Sequence, residues 1–240
     1  MNRNRWRSGK PMKRNLIRAT TVGAALGVAG LIAPAGANAA PVDENNCAKV
    51  STPGNPAGWG NDFSDEQGQA GKHSDVDVND DDGSLQFVTT DATPRQASYH
   101  AAGRLPLADV AKKPLTFHKS EGQANWQIRV TGAETGSGDG FATLVWSAPD
   151  GKTKADATES DQWWATRDLP GIPRAQTATL DELVAAAGNK TVVDHYGISS
   201  QPTNKAGTVN VDNVSFNGCT TNFTATDVGG GFGSLENLFP

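Results

Sequence analysis

Cysteine is scarce: only Cys47 and Cys219 occur, with no CxxC spacing. That excludes a thiolate zinc centre and leaves one bridge as the simplest use of the pair in an oxidising compartment. The four histidines, His73, His100, His118 and His195, form no HExxH, and no serine sits in a GxSxG elbow. Zinc hydrolysis and an elbow nucleophile therefore lack their signatures. His100 and His118 fall in candidate strands that could be neighbours, although a pair of surface imidazoles is commoner than a metal site. Neither GxGxxG nor GxxxxGK[ST] is present, there is no internal repeat, and no Lys/Arg stripe with interleaved aromatics runs anywhere. Phosphate-cradling loops and nucleic-acid binding are both disfavoured.

Acids are absent from the first 40 residues, which carry seven of the 21 basic residues. The basic stretch from Arg3 to Arg18 leads into an apolar run, Thr21 to Ala33, and then into Ala37-Asn38-Ala39. This is the three-part form of a secretory signal, expected over residues 1–39 with cleavage near Ala39 or Ala40. The apolar run of about 13 residues is shorter than the ~20 needed to span a bilayer, so no stable membrane insertion is expected. The remaining chain has 14 bases against 26 acids, a net charge of −12, which repels nucleic acid and anionic lipid. A secreted, extracellular protein of one domain over residues 40–228, with a flexible Gly-rich tail at 229–240, is the expectation. No lipid-attachment cysteine or C-terminal apolar span suggests covalent anchoring to the cell.

From Pro41 the chain alternates short β-type runs with Gly, Pro, Asn and Asp clusters, a pattern of sandwiches rather than of βαβ units. Candidate strands are 85–88, 97–100, 115–118, 126–130, 141–146, 162–166, 191–195 and 208–216. In the last, Val209 and Val211 share an inward phase with Val214 and Phe216 only if a bulge falls at Asp212-Asn213. Gly136 to Gly140 reads as a hairpin turn between the strands on either side. One short helix, about 179–187, is signalled by Thr179 and Glu182 as a capping box and by Gly188-Asn189 as its stop. A Cys47–Cys219 bridge would join the first part of the domain to the last.

Several motifs recur in a known order: Pro106-Leu107-Ala108-Asp109-Val110, Phe141 to Trp146, Gln162-Trp163-Trp164, Thr179 to Leu183, and Val211 to Phe216. Their succession resembles a family of uncharacterised secreted β-sandwich domains of actinobacterial type, similar to carbohydrate-binding jelly rolls. The resemblance implies an all-β, jelly-roll-like sandwich that is non-catalytic. The closing Val211-Asp212-Asn213-Val214-Ser215-Phe216 is similar to the last strand of many such jelly rolls, where the acid helps to hold a structural calcium beside the N-terminal strand. It implies a sugar-binding possibility, which fold analogy alone does not establish.

Among chemistry-bearing residues, Asp75 to Gly83 resembles the opening of a calcium loop, but Asp82 falls where an EF-hand needs Gly and Val88 where it needs Glu. A looser Ca²⁺ site from Asp75, Asp77, Asp80, Asp81 and Asp82 is one candidate, against a solvated acidic turn. Asp212 with Asp43 or Glu44 is another. For ligand contacts, sugars stack their C–H faces on indole rings. Adjacent Trp163 and Trp164 in a strand must face opposite sides, so at most one can be buried in the sandwich. The other is partly exposed, as a ligand contact would be, or covered by the helix or a long loop. Trp59 and Tyr196 follow as candidates. The expected function is passive binding of a polysaccharide or cell-envelope glycan. The alternatives are a glycan-cleaving enzyme on the same fold, whose carboxylate pair is a three-dimensional property, and a structural or adhesive surface protein.

Overall fold

A computed structural model describes residues 49–63, 68–136, 138–151 and 153–227. The signal segment, Cys47, Asp43, Glu44 and the tail at 229–240 lie outside the described residues. The strands are β1 (Val50–Ser51), β2 (Lys72–Ser74), β3 (Ser84–Thr89), β4 (Gln96–Pro106), β5 (Thr116–Lys119), β6 (Asn125–Thr131), β7 (Ala142–Ser147), β8 (Thr153–Asp156), β9 (Trp164–Ala165), β10 (Val192–Ser200), β11 (Gly207–Phe216) and β12 (Cys219–Phe223). Two short helices interrupt them, α1 (Leu107–Val110) and α2 (Leu180–Ala187). The result is an all-β sandwich. One sheet has five strands in the order β4-β10-β6-β7-β9. The other has seven, β1-β12-β11-β3-β2, with β5 pairing β11 and β8.

The core follows from strand alternation. On β6, Trp126, Ile128 and Val130 point inward, and on β11 Val209, Val211, Val214 and Phe216 are buried. The phase change on β11 comes from Asn213, whose φ of 51° breaks the regular pleat, and the register with β5 shifts between Asp212 and Ser215. Aromatic rings lock the sheets together: Tyr196 of β10 stacks on Phe216 of β11 with centroids 3.8 Å apart, and Phe117 of β5 meets Trp126 edge-on at 5.8 Å. Each ring removes a large apolar area from water, and such pairs add about 0.5–1.5 kcal/mol beyond that area.

The Gly136–Gly140 run joins β6 and β7, which pair antiparallel from Asn125↔Ser147 to Val130↔Ala142. In α2 the capping box forms: the Thr179 hydroxyl accepts from the Glu182 N–H, and the Glu182 carboxylate accepts from the Thr179 N–H at 2.8 Å. Leu180, Leu183 and Ala187 form its buried face. His100 and His118 are not neighbours, because β4 belongs to the five-stranded sheet and β5 to the seven-stranded one. Burial lowers the basicity of both imidazoles.

A buried cation closes one rim of the seven-stranded sheet. Lys119 is 1% exposed, and its Nζ donates to the carbonyls of Gly151 at 2.6 Å, Gly122 at 2.9 Å and Ser120 at 3.4 Å. Burial pushes its pKa below the usual lysine value. The ammonium ties two loops to β5 by charge-assisted hydrogen bonds.

Candidate functional site

The outward face of the five-stranded sheet is set by alternation on β6 and β7. Because Trp126, Ile128 and Val130 face the core, Asn125, Gln127 and Arg129 must face away from it. The register places Asn125 beside Ser147, Gln127 beside Val145 and Arg129 beside Thr143. On β9, Trp164 pairs with Val145 and so shares this face, while Ala165 pairs with Leu144 and faces the core. A cavity of about 540 Å³ opens there, lined by both charged and neutral polar groups together with Phe141, Val145 and Trp164.

The polar floor is preorganised. The Tyr99 hydroxyl donates to Gln127 Oε1 at 3.2 Å, and Gln127 Nε2 donates to Ser199 Oγ at 2.8 Å. Asn125 Nδ2 donates to Ser199 Oγ and to the Ser199 carbonyl, both at 3.4 Å. Two amide oxygens on this floor are left over: Asn125 Oδ1 and Gln123 Oε1 are buried without a hydrogen-bond partner, and Asn125 as a residue is only 4% exposed. A buried acceptor without a donor costs about 1–3 kcal/mol.

At one end the face is closed. The Arg129 guanidinium lies 3.9 Å over the Phe63 ring and 4.8 Å from Phe141, while Phe63 also meets Tyr99 edge-on. This packing needs Gly197 on β10, since a Cβ there would strike the Ser98 carbonyl oxygen and lie 2.8 Å from Tyr99 Cδ1. At the β9 edge the face is open. Trp164 is half-buried, and the loop after it folds back on β9: Ala175 N–H donates to the Ala165 carbonyl at 3.0 Å, and Asp168 accepts the Arg174 N–H at 2.7 Å.

Of the four aromatic candidates, Trp164 therefore has a face available, whereas Trp163, Trp59 and Tyr196 are packed into the interior. Trp163 is 0% exposed and donates Nε1–H to the Ala157 carbonyl at 2.8 Å. Trp59 is held between Tyr196 and Phe223, with centroids 5.5 and 5.0 Å away. Burial drives the Tyr196 phenol well above its ordinary pKa. These three rings stabilise the sandwich, and of them Trp59 also borders a second cavity of about 490 Å³ lined by Pro56, Phe63 and His195. The amide floor around Trp164 was missed by sequence reasoning, although the alternation Asn-Trp-Gln-Ile-Arg-Val carries its signal.

A second cluster lies on the seven-stranded sheet. Oxygen atoms of Asp80, Asp82 and Asp212 lie within 4.8 Å of one another. Asp212 comes from β11 immediately before the Asn213 bulge and is 0% exposed. Its Oδ1 accepts the Phe223 N–H at 2.9 Å and its Oδ2 accepts from Asn213 Nδ2 at 2.9 Å. Asn222 Nδ2 donates to Asp82 Oδ2 at 2.8 Å, which ties β12 to the same loop. The loop approaches β12 closely because Gly83 (φ 120°) lies where a Cβ would be 2.6 Å from both the Ala225 nitrogen and the Ser74 carbonyl.

Three carboxylates so close repel one another. Burial, with Asp80 and Asp82 nearby, pushes the Asp212 carboxyl up to about 6 despite the two N–H donors. Asp82 keeps solvent on one side, yet partial desolvation and then Asp80 raise it as well. Asp80 Oδ1 and Asn222 Oδ1 are buried without a partner. Unpaired acceptors beside crowded carboxylates suit a hard cation. Asp75, Asp77 and Asp81, the other acids of this loop expected in a calcium site, are exposed and stand outside this three-carboxylate group. Asn222 was not expected from the sequence.

Among the described residues no helix is long and apolar enough to cross a membrane. No protein-family model and no curated protein matches this chain.

Proposed function

We propose that the chain is a secreted, non-catalytic binding module that receives an extracellular or cell-envelope glycan along the open face of its five-stranded sheet. The observation that carries this reading is that the half-buried Trp164 and Asn125, whose Oδ1 is unpartnered, line one cavity on a polar floor. The indole offers a surface for the C–H face of a sugar ring, and the amide oxygens accept its hydroxyl protons. Among the described residues, those lining the cavity include no carboxylate, and the reading assigns no acid pair for glycoside hydrolysis to this face. The order of motifs keeps the jelly-roll resemblance as part of the proposal.

Asp80, Asp82, Asp212 and Asn222 would hold a structural Ca²⁺, which would neutralise the crowded carboxylates and pin the 75–83 loop to β12. A bridge between Cys47 and Cys219 belongs to the same reading. Val50 and Asn222 are register partners in the parallel β1–β12 pair, and each cysteine precedes its partnered residue by the same three positions.

The test is retention on a panel of soluble and insoluble polysaccharides, with reducing-end release followed in the same tubes. Retention without release, lost in Trp164→Ala, is expected. Release of reducing ends favours the enzyme, and no retention on any polymer favours a structural or adhesive role.

A further inference from the structure

The charge of the candidate cleft opposes that of the rest of the chain. Acids outnumber bases 26 to 21 in the sequence, yet among the described residues the cleft is lined by Arg95, Arg167 and Arg174 and by no acid. All three arginines are exposed, and no ion pair to any of them is found among the described residues. The nearby Asp168 accepts the backbone N–H of Arg174. We propose that the ligand is an acidic polysaccharide, one whose sugar units carry carboxylate, sulfate or phosphate groups. This inference rests on the glycan-binding reading and specifies the ligand class of the same face.

The placement of the arginines argues for a polymer rather than a single anion. Arg95 directly precedes β4 at one edge of the five-stranded sheet, where Gln96 pairs with Ser200. Arg167 and Arg174 follow β9 at the opposite edge. Four inter-strand spacings separate β4 from β9, about 19 Å in all, which is longer than one sugar ring. A chain lying across the face would meet a guanidinium at each rim, Trp164 near the β9 rim, and the Asn125 and Gln123 oxygens between. Each side chain then has a separate partner: guanidinium for oxyanion, amide oxygen for hydroxyl, indole for the C–H face.

The test compares retention of the full chain, by affinity electrophoresis, on polygalacturonate, the same polymer after methyl esterification, hyaluronan, dextran sulfate, a phosphate-bearing glycan, and neutral dextran and xylan. Three variants accompany it: Arg95→Gln, the double variant Arg167→Gln/Arg174→Gln, and Trp164→Ala. Each is first shown to melt with the parent.

The expected result is retention on one or more acidic polymers, weakened by salt. For uronates, esterification should abolish it. The arginine variants should weaken it by about tenfold or more, as the loss of a charge-assisted contact implies. Which acidic polymer is retained separates carboxylate from sulfate or phosphate as the source. Equal retention on neutral or esterified polymers, with the arginine variants unchanged but Trp164→Ala defective, would overturn this inference and leave the glycan reading standing. Salt-sensitive retention unaffected by Trp164→Ala would show simple ion exchange and overturn both, as would retention on none of the polymers.

Discussion

On the seven-stranded sheet, Asp80, Asp82 and Asp212 crowd together around β11 and β12, whereas the open face of the five-stranded sheet is lined by amides, Trp164 and three arginines. The two regions also differ in what holds them. The acidic cluster joins segments remote in sequence through side chains that repel one another and keep unpaired acceptors. The sheet face is built on continuous strands whose register is set by the core beneath. The first arrangement crowds acids that a proton or a cation would relieve; the second carries no such crowding and leaves polar groups to spare. On the proposed reading, that difference gives the cluster a stabilising role and the face a recognition role.

The largest effect separates the two adjacent indoles. Trp163→Ala empties a fully buried site and should cost about 3–5 kcal/mol in chemical denaturation. A loss below 1 kcal/mol would contradict its place in the core. Lys119→Met comes next: it removes three charge-assisted contacts and should cost about 2–3 kcal/mol by the same measurement.

Calcium should then raise the melting temperature of chelated protein. At a hundredfold excess over its dissociation constant the gain is about 2.7 kcal/mol, and Asp80→Asn should abolish most of it. An identical melt with chelator and with calcium would reject the ion.

The sharpest probe of the cluster is pH. In chelated protein the folded pKa of Asp212 is raised to about 6, so the folded state holds this proton more tightly than the unfolded chain does. Its stabilising contribution is full below the ordinary carboxylate range and is lost as pH rises through 6. Chelated protein should therefore lose stability from this group between pH 4 and pH 7. Asp212→Asn, which carries no such proton, should flatten that slope in melts across the range.

The smallest effect on stability is expected at the open face. Trp164→Ala should change unfolding free energy by about 0.5 kcal/mol or less, as is usual for positions outside a packed core. Its consequence should appear in binding instead.

Much of the frame was legible because alternation and capping are local. The polar and apolar residues of Asn125 to Val130 mark two faces, and Thr179 with Glu182 fixes the start of α2. The slip at Asp212-Asn213 was legible too, since only a bulge brings Val211 and Val214 into one core. Short strands such as β1, β2, β8 and β12 were not, having few apolar residues to set a period. Alternation shows that Trp163 and Trp164 face opposite ways, but not which one faces inward. That depends on pairing with Leu144 and Val145. The arginine rim and the Asn222 contact depend on residues brought together from far apart in sequence, and no local pattern encodes them.

The most direct measurement is retention of the parent protein and Trp164→Ala, matched in melting temperature, on the polysaccharide panel with reducing ends assayed. The account predicts that the parent is retained without release and that the variant is not. Equal retention of both, or cleavage by the parent, would contradict it.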